Sequence, residues 1–580
     1  MSLFAELKRR NVFRVGIAYI VLAWLLLQVG DTLAPALHLP EWINSALAFF
    51  LILGFPMAIF LAWAFEMTPE GLKLEKNVDR ETSITPVTGR KLDRVTLVLL
   101  AAAVGYFVWH SQTAHNDVEN VAEIVATSAG QQSIAVLPFE NMSSDAEQEY
   151  FSDGLTEELL NLLAKIPELK VTSRTSAFFY KGKDIRIGDV GRELNVDHVL
   201  EGSVRKSGKK IRITAQLIEV ATDAHLWSDT WDRDLDDVFE IQDEIAAKVV
   251  DELRVQLLGE LPHAVATDGE TYALYLQARH TITQRTYESL MRGEELINKA
   301  IEIDPDYAPA WVLKALIHSQ QGDVGARLPN DIVGPAREAT NRALELDPES
   351  AVAHAMSGDL MISYEYNYAD ARKAFERALE LGPYNAEVLL QAAIYYAFIG
   401  QPEKALPLSR AAYERDPLFT ANHSTLGYIY AMLGQYEEAF EISKERVEIA
   451  PESYGSYAYA ANGLIGLGRY EEALKWAEQE RLDGFRYASL AIIHWHMGNR
   501  EASDDALARL LAQNSGGWDW QIVEAHAVRG ELDEAFAAMD AAYENRDSGL
   551  QLMLGDMHVE NLRNDPRYDA MARKIGIPLD

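Results

Sequence analysis

Residues 134–159 read IAVLPFENMSSDAEQEYFSDGLTEEL, and within them stand Ser143, Ser144, Asp145, Glu147, Glu149, Asp153, Thr156, Glu157 and Glu158. Carboxylates so close together could serve as a general acid and base, or hold a hard cation. Acid–base work needs one of them in an apolar pocket that raises its pKa, beside a base or metal partner. The sequence offers no such partner: between His110 and His198 the only histidine is His115, and no HExxH, GxSxG or P-loop pattern occurs. The expectation is structural. Asp145, Glu147 and Glu149 fall near the positive end of a coming helix, where each acid is worth ~0.3–1 kcal/mol. Asp153, Thr156 and Glu157 are expected on that helix's solvated face.

Two other patterns imitate metal sites. Asp232, Asp234 and Asp236 resemble the opening of a calcium loop, but no glycine follows where such a loop needs one, and the twelfth position is Asp243 inside a predicted helix. Helix capping explains them better. His494 and His496 flank Trp495, and residues two apart on a helix point to different faces. Asn141-Met142-Ser143 is formally a glycosylation acceptor, a short pattern that carries little weight alone. The sequence therefore predicts no catalytic residue, no metal ligand and no cofactor site.

Those residues are set in a chain of 580 with a net charge of −35 and no cysteine. Its length predicts several units. The absence of cysteine excludes disulfides, thiolate nucleophiles and cysteine-ligated metals. Residues 1–110 hold ten Lys/Arg against nine Asp/Glu, so −36 falls on the rest. A body so acidic repels phosphate backbones, and no nucleic-acid partner is expected.

Three apolar runs in residues 1–110 predict transmembrane helices at about 12–35, 43–65 and 94–110. Lys8, Arg9, Arg10 and Arg14 precede the first run, and Lys73, Lys76, Arg80, Arg90, Lys91 and Arg94 separate the second from the third. The positive-inside bias then sets the N-terminus in the cytoplasm and everything after residue 110 outside, which in a Gram-negative bacterium means an inner-membrane anchor with a periplasmic body. Residues 111–132 read as a polar linker.

From Ser133 the pattern changes. Ser133–Phe139 reads as a buried strand and Tyr150–Ile166 as an amphipathic helix with Leu155, Leu159, Leu160, Leu163 and Ile166 inward. Leu169–Ser173 (strand), Ile187–Leu194 (helix), a hairpin around Lys206–Lys209, a strand at His225–Arg233 and a helix at Asp237–Leu258 complete a small α/β domain. The run from SIAVLPF through DGLTEEL and LEGSVR to LWSDTWDR resembles the TolB-amino-terminal-like (FlgO-like) domain of bacterial envelope and sensor proteins, over 133–258. Relatives of that family often place the domain between an N-terminal output domain, either a winged-helix DNA binder or a class III nucleotide cyclase, and C-terminal repeats. Neither output motif occurs here, so the resemblance implies an envelope or sensor role without an output chemistry.

Beyond Thr271 the chain repeats. Pro383, Pro417 and Pro451 stand 34 residues apart, and Gly400, Gly434, Gly468 and Ala405, Ala439, Ala473 keep the same step. This resembles the tetratricopeptide repeat, in about eight copies over 271–552, followed by a capping tail at 553–580. Each copy is a helix pair that buries its face only by stacking, which yields a superhelix with a concave groove. The resemblance carries groove positions onto Ile362, Leu390, Ile394, Ser424, Tyr428, Asn462 and Ile465. That row lacks Lys and Arg, so a clamp for a terminal carboxylate is not expected.

The expected fold is thus multidomain: N-terminal transmembrane helices, a small α/β domain and an all-α superhelix. The expected role is a membrane-embedded, non-enzymatic scaffold or sensor binding envelope proteins or peptides. The alternative is a transmembrane signalling regulator of a nucleotide cyclase or of transcription, with no catalytic domain of its own.

Overall fold

The computed structural model describes residues 132–580 apart from 144, 146–147, 167, 256–261, 285, 324–328, 453–454, 514–516 and 580; before them it describes only 15–16, 19, 22–23, 50–51, 53–57, 65–68 and 71–74. The chain divides into two compact units, Met1–Asn120 and Val121–Asp580.

In the first unit, the Tyr19 hydroxyl donates to the Leu51 carbonyl at 2.8 Å. Strands β1 (Phe65–Thr68) and β2 (Gly71–Leu74) form an antiparallel hairpin. The third expected span and residues 111–131 lie outside the described residues, as do Ser144 and Glu147. Among the described residues no helix is long and apolar enough to cross a membrane. This overturns the expected location, an inner-membrane anchor with a cytoplasmic N-terminus and a periplasmic body. Crossing takes about 20 consecutive apolar helical residues, and no described helix meets that requirement. Phe65, the expected end of the second span, opens a strand.

The second unit begins with a mixed sheet. β3 (Gln132–Val136) runs parallel to both β5 (Leu169–Val171) and β6 (His198–Ser207), and the short β4 (Glu140–Asn141) also pairs with β6. β6, β7 (Lys210–Glu219) and β8 (Ala224–Asp234) form an antiparallel meander. Alternation assigns the two faces: Ile134, Val136 and Leu200 enter the main core, while Ala135 and Val199 enter a smaller one with Val190 and Leu194. On β7, Ile211, Ile213, Ala215 and Leu217 are buried, and Arg212 between them is exposed and paired with Asp232. Gly202, in the LEGSVR segment, has no room for a Cβ, which would strike the Thr214 carbonyl and the Phe139 ring.

Helices α1 (Glu149–Ala164), α2 (Arg174–Phe178), α3 (Ile187–Glu193) and α4 (Val238–Glu252) cover this sheet. The main core does not stop there. It continues through Tyr272, Tyr275 and Leu276 into α5 (Gly269–Ile282).

α5 opens an all-helical superhelix of the tetratricopeptide type. Among the described residues its helices pair in sequence: α5 with α6 (Tyr287–Ile303), α7 (Ala308–Asp323) with α8 (Pro329–Leu346), α9 (Ala351–Leu360) with α10 (Tyr368–Leu381), and α11 (Ala386–Phe398) with α12 (Pro402–Arg415). Four more pairs follow: α13 (Thr420–Met432) with α14 (Tyr436–Ile449), α15 (Ser456–Gly466) with α16 (Tyr470–Ala477), α17 (Asp483–His496) with α18 (Arg500–Gln513), and α19 (Asp519–Arg529) with α20 (Leu532–Asn545). Gly400, Gly434, Gly468, Gly498 and Gly530, whose spacing marks the repeat in the sequence, all take a positive φ at a helix end. That is the left-handed conformation glycine adopts without steric cost. Two 3₁₀ turns, Ser548–Leu552 and Met557–Leu562, and α21 (Pro566–Lys574) end the chain.

Candidate partner-binding groove

The acidic stretch holds the α/β region to the superhelix. Asp153, Thr156 and Glu157, expected in water, are buried on α1. Gly154 explains the approach: a Cβ there would lie 2.5 Å from the Leu276 side chain of α5. With the helices this close, Arg279 of α5 reaches Glu157 at 2.6 Å and Glu158 at 2.9 Å. Arg174 meets Glu157 at 3.0 Å from the other side. Asp153 receives Lys181 at 2.6 Å and faces His280 at 3.0 Å. The Tyr275 hydroxyl donates to Glu158 at 3.0 Å. Thr156 accepts the Phe139 amide and donates to the Ser152 carbonyl. Each carboxylate is thus spent on a cation or a donor.

A second attachment lies at the turn after α12. Asp416, 3% exposed, accepts the Ser173 hydroxyl at 2.5 Å and the Ser176 hydroxyl and amide at 2.6 and 3.0 Å. The Leu418 amide returns a bond to the Ser176 hydroxyl at 2.9 Å. Burial pushes the Asp416 carboxyl up, and the Ser173 and Ser176 donors offset this only in part. The two metal-like patterns are also accounted for. Asp234 caps the turn before α4 in a reciprocal box with Asp237, and the His496 ring stacks on Tyr470 at 5.0 Å.

Of the seven residues expected in the groove, several lie against the chain's own C-terminal segment. The Tyr428 hydroxyl donates to the Leu552 carbonyl at 2.9 Å. The Ile362 carbonyl accepts the Gln551 amide at 3.4 Å, and Asn462 Oδ1 stands 3.3 Å from His558 Nε2. Ile362 and Leu390 are buried in one core with Leu550, Met553, Val559 and Leu562, and Ile394 packs against it. Ile465 belongs to a neighbouring cluster that Met557 touches. Ser424, half-buried, turns its hydroxyl back to the Thr420 carbonyl. The last helix pair also reaches the third: the Arg546 guanidinium donates to the Tyr364 carbonyl at 2.8 Å, and the Tyr543 and Tyr366 rings stack at 6.0 Å.

The segment is fixed at its centre by Trp520, which is fully buried and donates from Nε1 to Asp556 at 3.0 Å. Asp556 caps the following turn by accepting the His558 amide at 2.8 Å. Burial, then the charges of Asp556 and Asp547, push the Glu524 carboxyl well above the usual range. Burial likewise raises the Tyr428 hydroxyl and lowers the His558 imidazole. Neutral donors and carbonyls therefore dominate this wall. Among the described residues no group of three His, Cys, Asp or Glu could hold a metal ion.

Sequence reasoning missed Arg279, Asp416 and the path of residues 548–562. Arg279 had a signal in its helical spacing from Tyr275 and Tyr272, four and seven residues earlier. Asp416 looked like any aspartate before proline. Nothing local in SGLQL marks it as lying in the groove.

Parts of the chain are similar to known proteins. Residues 130–248 match the family model described as HilA/YgeH-like transcriptional regulator, second domain. That match falls on the region resembling the TolB-like domain, and it names a different family. A curated relative, "Putative adenylate cyclase 3" from Rhizobium meliloti (strain 1021), is 41% identical over 219 residues, 37% of this chain and 37% of its own. The chain therefore aligns with little more than a third of that relative's length. Among solved structures, pilF of Pseudomonas aeruginosa is 18% identical, covering 39% of this chain and 97% of its own at a TM-score of 0.31. A tetratricopeptide repeat protein from Parabacteroides merdae is 13% identical, covering 46% and 99% at a TM-score of 0.33.

Proposed function

We propose that this chain is a non-catalytic protein-interaction scaffold. Its α/β region, 133–258, is a sensor-type module of the TolB-like or HilA-like kind. The superhelix, 271–552 with its tail at 553–580, takes peptide segments along the wall bearing Ile362, Leu390, Ile394, Ser424, Tyr428, Asn462 and Ile465. One observation carries the reading: this wall accommodates a segment of the chain itself, folded in two 3₁₀ turns, with the Tyr428 hydroxyl bonded to the Leu552 main-chain carbonyl, a group any peptide offers. Proteins or peptides are thus its partners.

The test is site-specific photocrosslinking in cells, with benzoylphenylalanine at Ser424 and, as control, at Glu441 on the exposed side of α14. Defined adducts from Ser424 and none from Glu441 are expected. Equal adducts, or none, would reject the groove.

A second reading is that the chain regulates a nucleotide cyclase or transcription without catalysing anything itself. The family match and the name of the Rhizobium relative favour it. Purified chain incubated with ATP and Mg²⁺ or Mn²⁺ is expected to form no cyclic AMP. Formation of it would end both readings at once. A cyclase or a transcription component among the Ser424 adducts would put the second reading first.

A further inference from the structure

His423 is a buried imidazole whose surroundings suit only its neutral form. It stands in the first turn of α13, is fully buried, and meets the Tyr413 ring of α12 edge-on, with 5.2 Å between ring centres. Its Nδ1 lies 3.2 Å from the Phe419 carbonyl, which only accepts, so Nδ1 carries the proton and donates. Nε2 is then a bare acceptor, and among the described residues it has no hydrogen-bond partner.

Protonation would place a second N–H and a full charge at this point. The charge is poorly received: the buried Arg446 of α14 faces the ring, and the positive end of the α13 dipole lies beside it. Burial holds the imidazole below its usual range; the Phe419 carbonyl and Glu445 oppose this, and Arg446 adds to it. Glu445 is exposed and accepts the Tyr413 hydroxyl at 2.9 Å. Tyr413 from α12, with Glu445 and Arg446 from α14, are the titratable or charged groups that face the ring among the described residues.

What the ring braces is the second attachment. Phe419, whose carbonyl it holds, donates its own amide to the Asp416 carbonyl at 3.2 Å, and Asn422 beside the ring donates to that carbonyl at 2.9 Å. Asp416 holds Ser173 and Ser176 through its side chain, and the Arg415 carbonyl accepts the Ser173 amide at 2.8 Å. Residues 416–423 are thus one hydrogen-bonded unit that joins α12 and α13 to the α/β region, with an imidazole at its base.

We propose that His423 is a proton-operated release for this turn. Neutral, it locks α13 on α12 and so fixes the α/β region to the superhelix; charged, it frees the turn. A histidine lowered in the fold contributes stability above its ordinary range, and that contribution is lost as pH falls. Asp416, raised by burial, acts in the opposite sense: its stabilisation is present in acid and lost as pH rises. Loosening of this turn on mild acidification therefore comes from the ring and not from the carboxyl. The proposal is independent of what the groove binds.

The experiment is peptide-resolved hydrogen exchange on the full chain at about pH 7.5 and about pH 5.5, either side of the ordinary histidine value of about 6.5 and corrected for the intrinsic pH dependence of exchange. Opening of 416–423 should rise at least about threefold in acid, against a ceiling of about elevenfold for one histidine. α1 should not respond, because the loss from the lowered Asp153 carboxyl lies at more acid pH. His423→Gln and His423→Leu, checked by circular dichroism for retained helix, should abolish the rise. A second readout needs no variant: deuterium uptake at the His423 Cε1, followed by mass spectrometry across pH, gives the midpoint of this ring in the parent, expected below about 6.5. No rise in the parent, an equal rise in the variants, or a ring midpoint at or above the ordinary value would overturn the proposal.

Discussion

Two of the junctions that hold the body of this protein together differ in what surrounds their apolar contacts. Where α1 meets α5, the shared core is flanked by charge: Arg279 of α5, with Arg174 and Lys181 of the α/β region, against Glu157, Glu158 and Asp153. Where the C-terminal segment meets the concave wall, the contact is apolar and neutral: Trp520, Leu550, Met553, Val559 and Leu562, with hydroxyls and amides reaching main-chain carbonyls. A charged junction depends on every partner being present and ionised, because a buried charge left alone is costly. An apolar junction depends on volume and tolerates changes of charge around it. The first therefore suits permanent registration of one region on another. The second is closer to how a groove would hold any peptide.

The contrast can be broken by mutation. The largest effect is expected from Trp520→Ala, which empties a fully buried site and removes the donor to Asp556. About 3–5 kcal/mol should be lost, concentrated on the tail. Hydrogen exchange resolved by peptide is the right measurement, since a chain of several regions need not unfold in one step. Loss of protection at 548–562 with α1 unaffected fits the comparison; uniform loss across both junctions would mean they are one cooperative structure.

Arg279→Ala should come next, at about 2 kcal/mol, below the full cost of breaking a buried pair because the arginine side chain keeps 24% of its exposure. Here the protection lost should lie in α1 and α5. Replacement by Met, which keeps the stem, should cost nearly as much if charge is what matters there.

The pH response sharpens the contrast. Burial alone would raise the Asp153 carboxyl, but the His280 and Lys181 hydrogen bonds and charges outweigh it and hold it below the usual range. Its stabilisation is therefore present above the ordinary carboxylate range and lost as pH falls through the lowered value. Glu524 is pushed the other way, by burial and then by Asp556 and Asp547. Its stabilisation is present in acid and lost as pH rises through the raised value. Acid should loosen α1 from α5, and rising pH should loosen the tail. Hydrogen exchange at several pH values on Asp153→Asn and Glu524→Gln checks this, each variant flattening the response of its own junction only.

The smallest effect is expected from Tyr428→Phe. It removes one hydroxyl and strands the Leu552 carbonyl, for about 1 kcal/mol. A thermal shift too small to separate from the parent would mean water replaces that hydroxyl and the wall reads side chains alone.

Much of this architecture is legible in residue spacing. The prolines, glycines and alanines 34 apart mark the helix pairs because each glycine sits where the chain must turn with positive φ. Alternation on β7 marks its buried face for a similarly local reason. The candidate site was less legible. Glu157 was expected in water because Leu155, Leu159 and Leu163 define one face of α1 and leave it on another. A helical wheel cannot distinguish a face met by solvent from one met by Arg279. The seven groove positions follow from the repeat register, but their neighbours Leu552 and His558 arrive from far along the chain, and no periodicity encodes that. The expected spans rest on hydropathy alone, and among the described residues no helix is long and apolar enough to cross a membrane.

The closure of the eighth helix pair on the third also constrains how the protein comes to be folded. Ile362 meets Gln551 across 189 residues. During synthesis at roughly 5–20 residues per second, Ile362 therefore emerges some 10–40 s before the segment that covers its wall. Through that interval the nascent superhelix presents Leu390, Ile394 and their neighbours bare, a surface prone to premature association. Stop codons or proteolytic cuts that remove residues 548–562 are expected to make that transient exposure permanent.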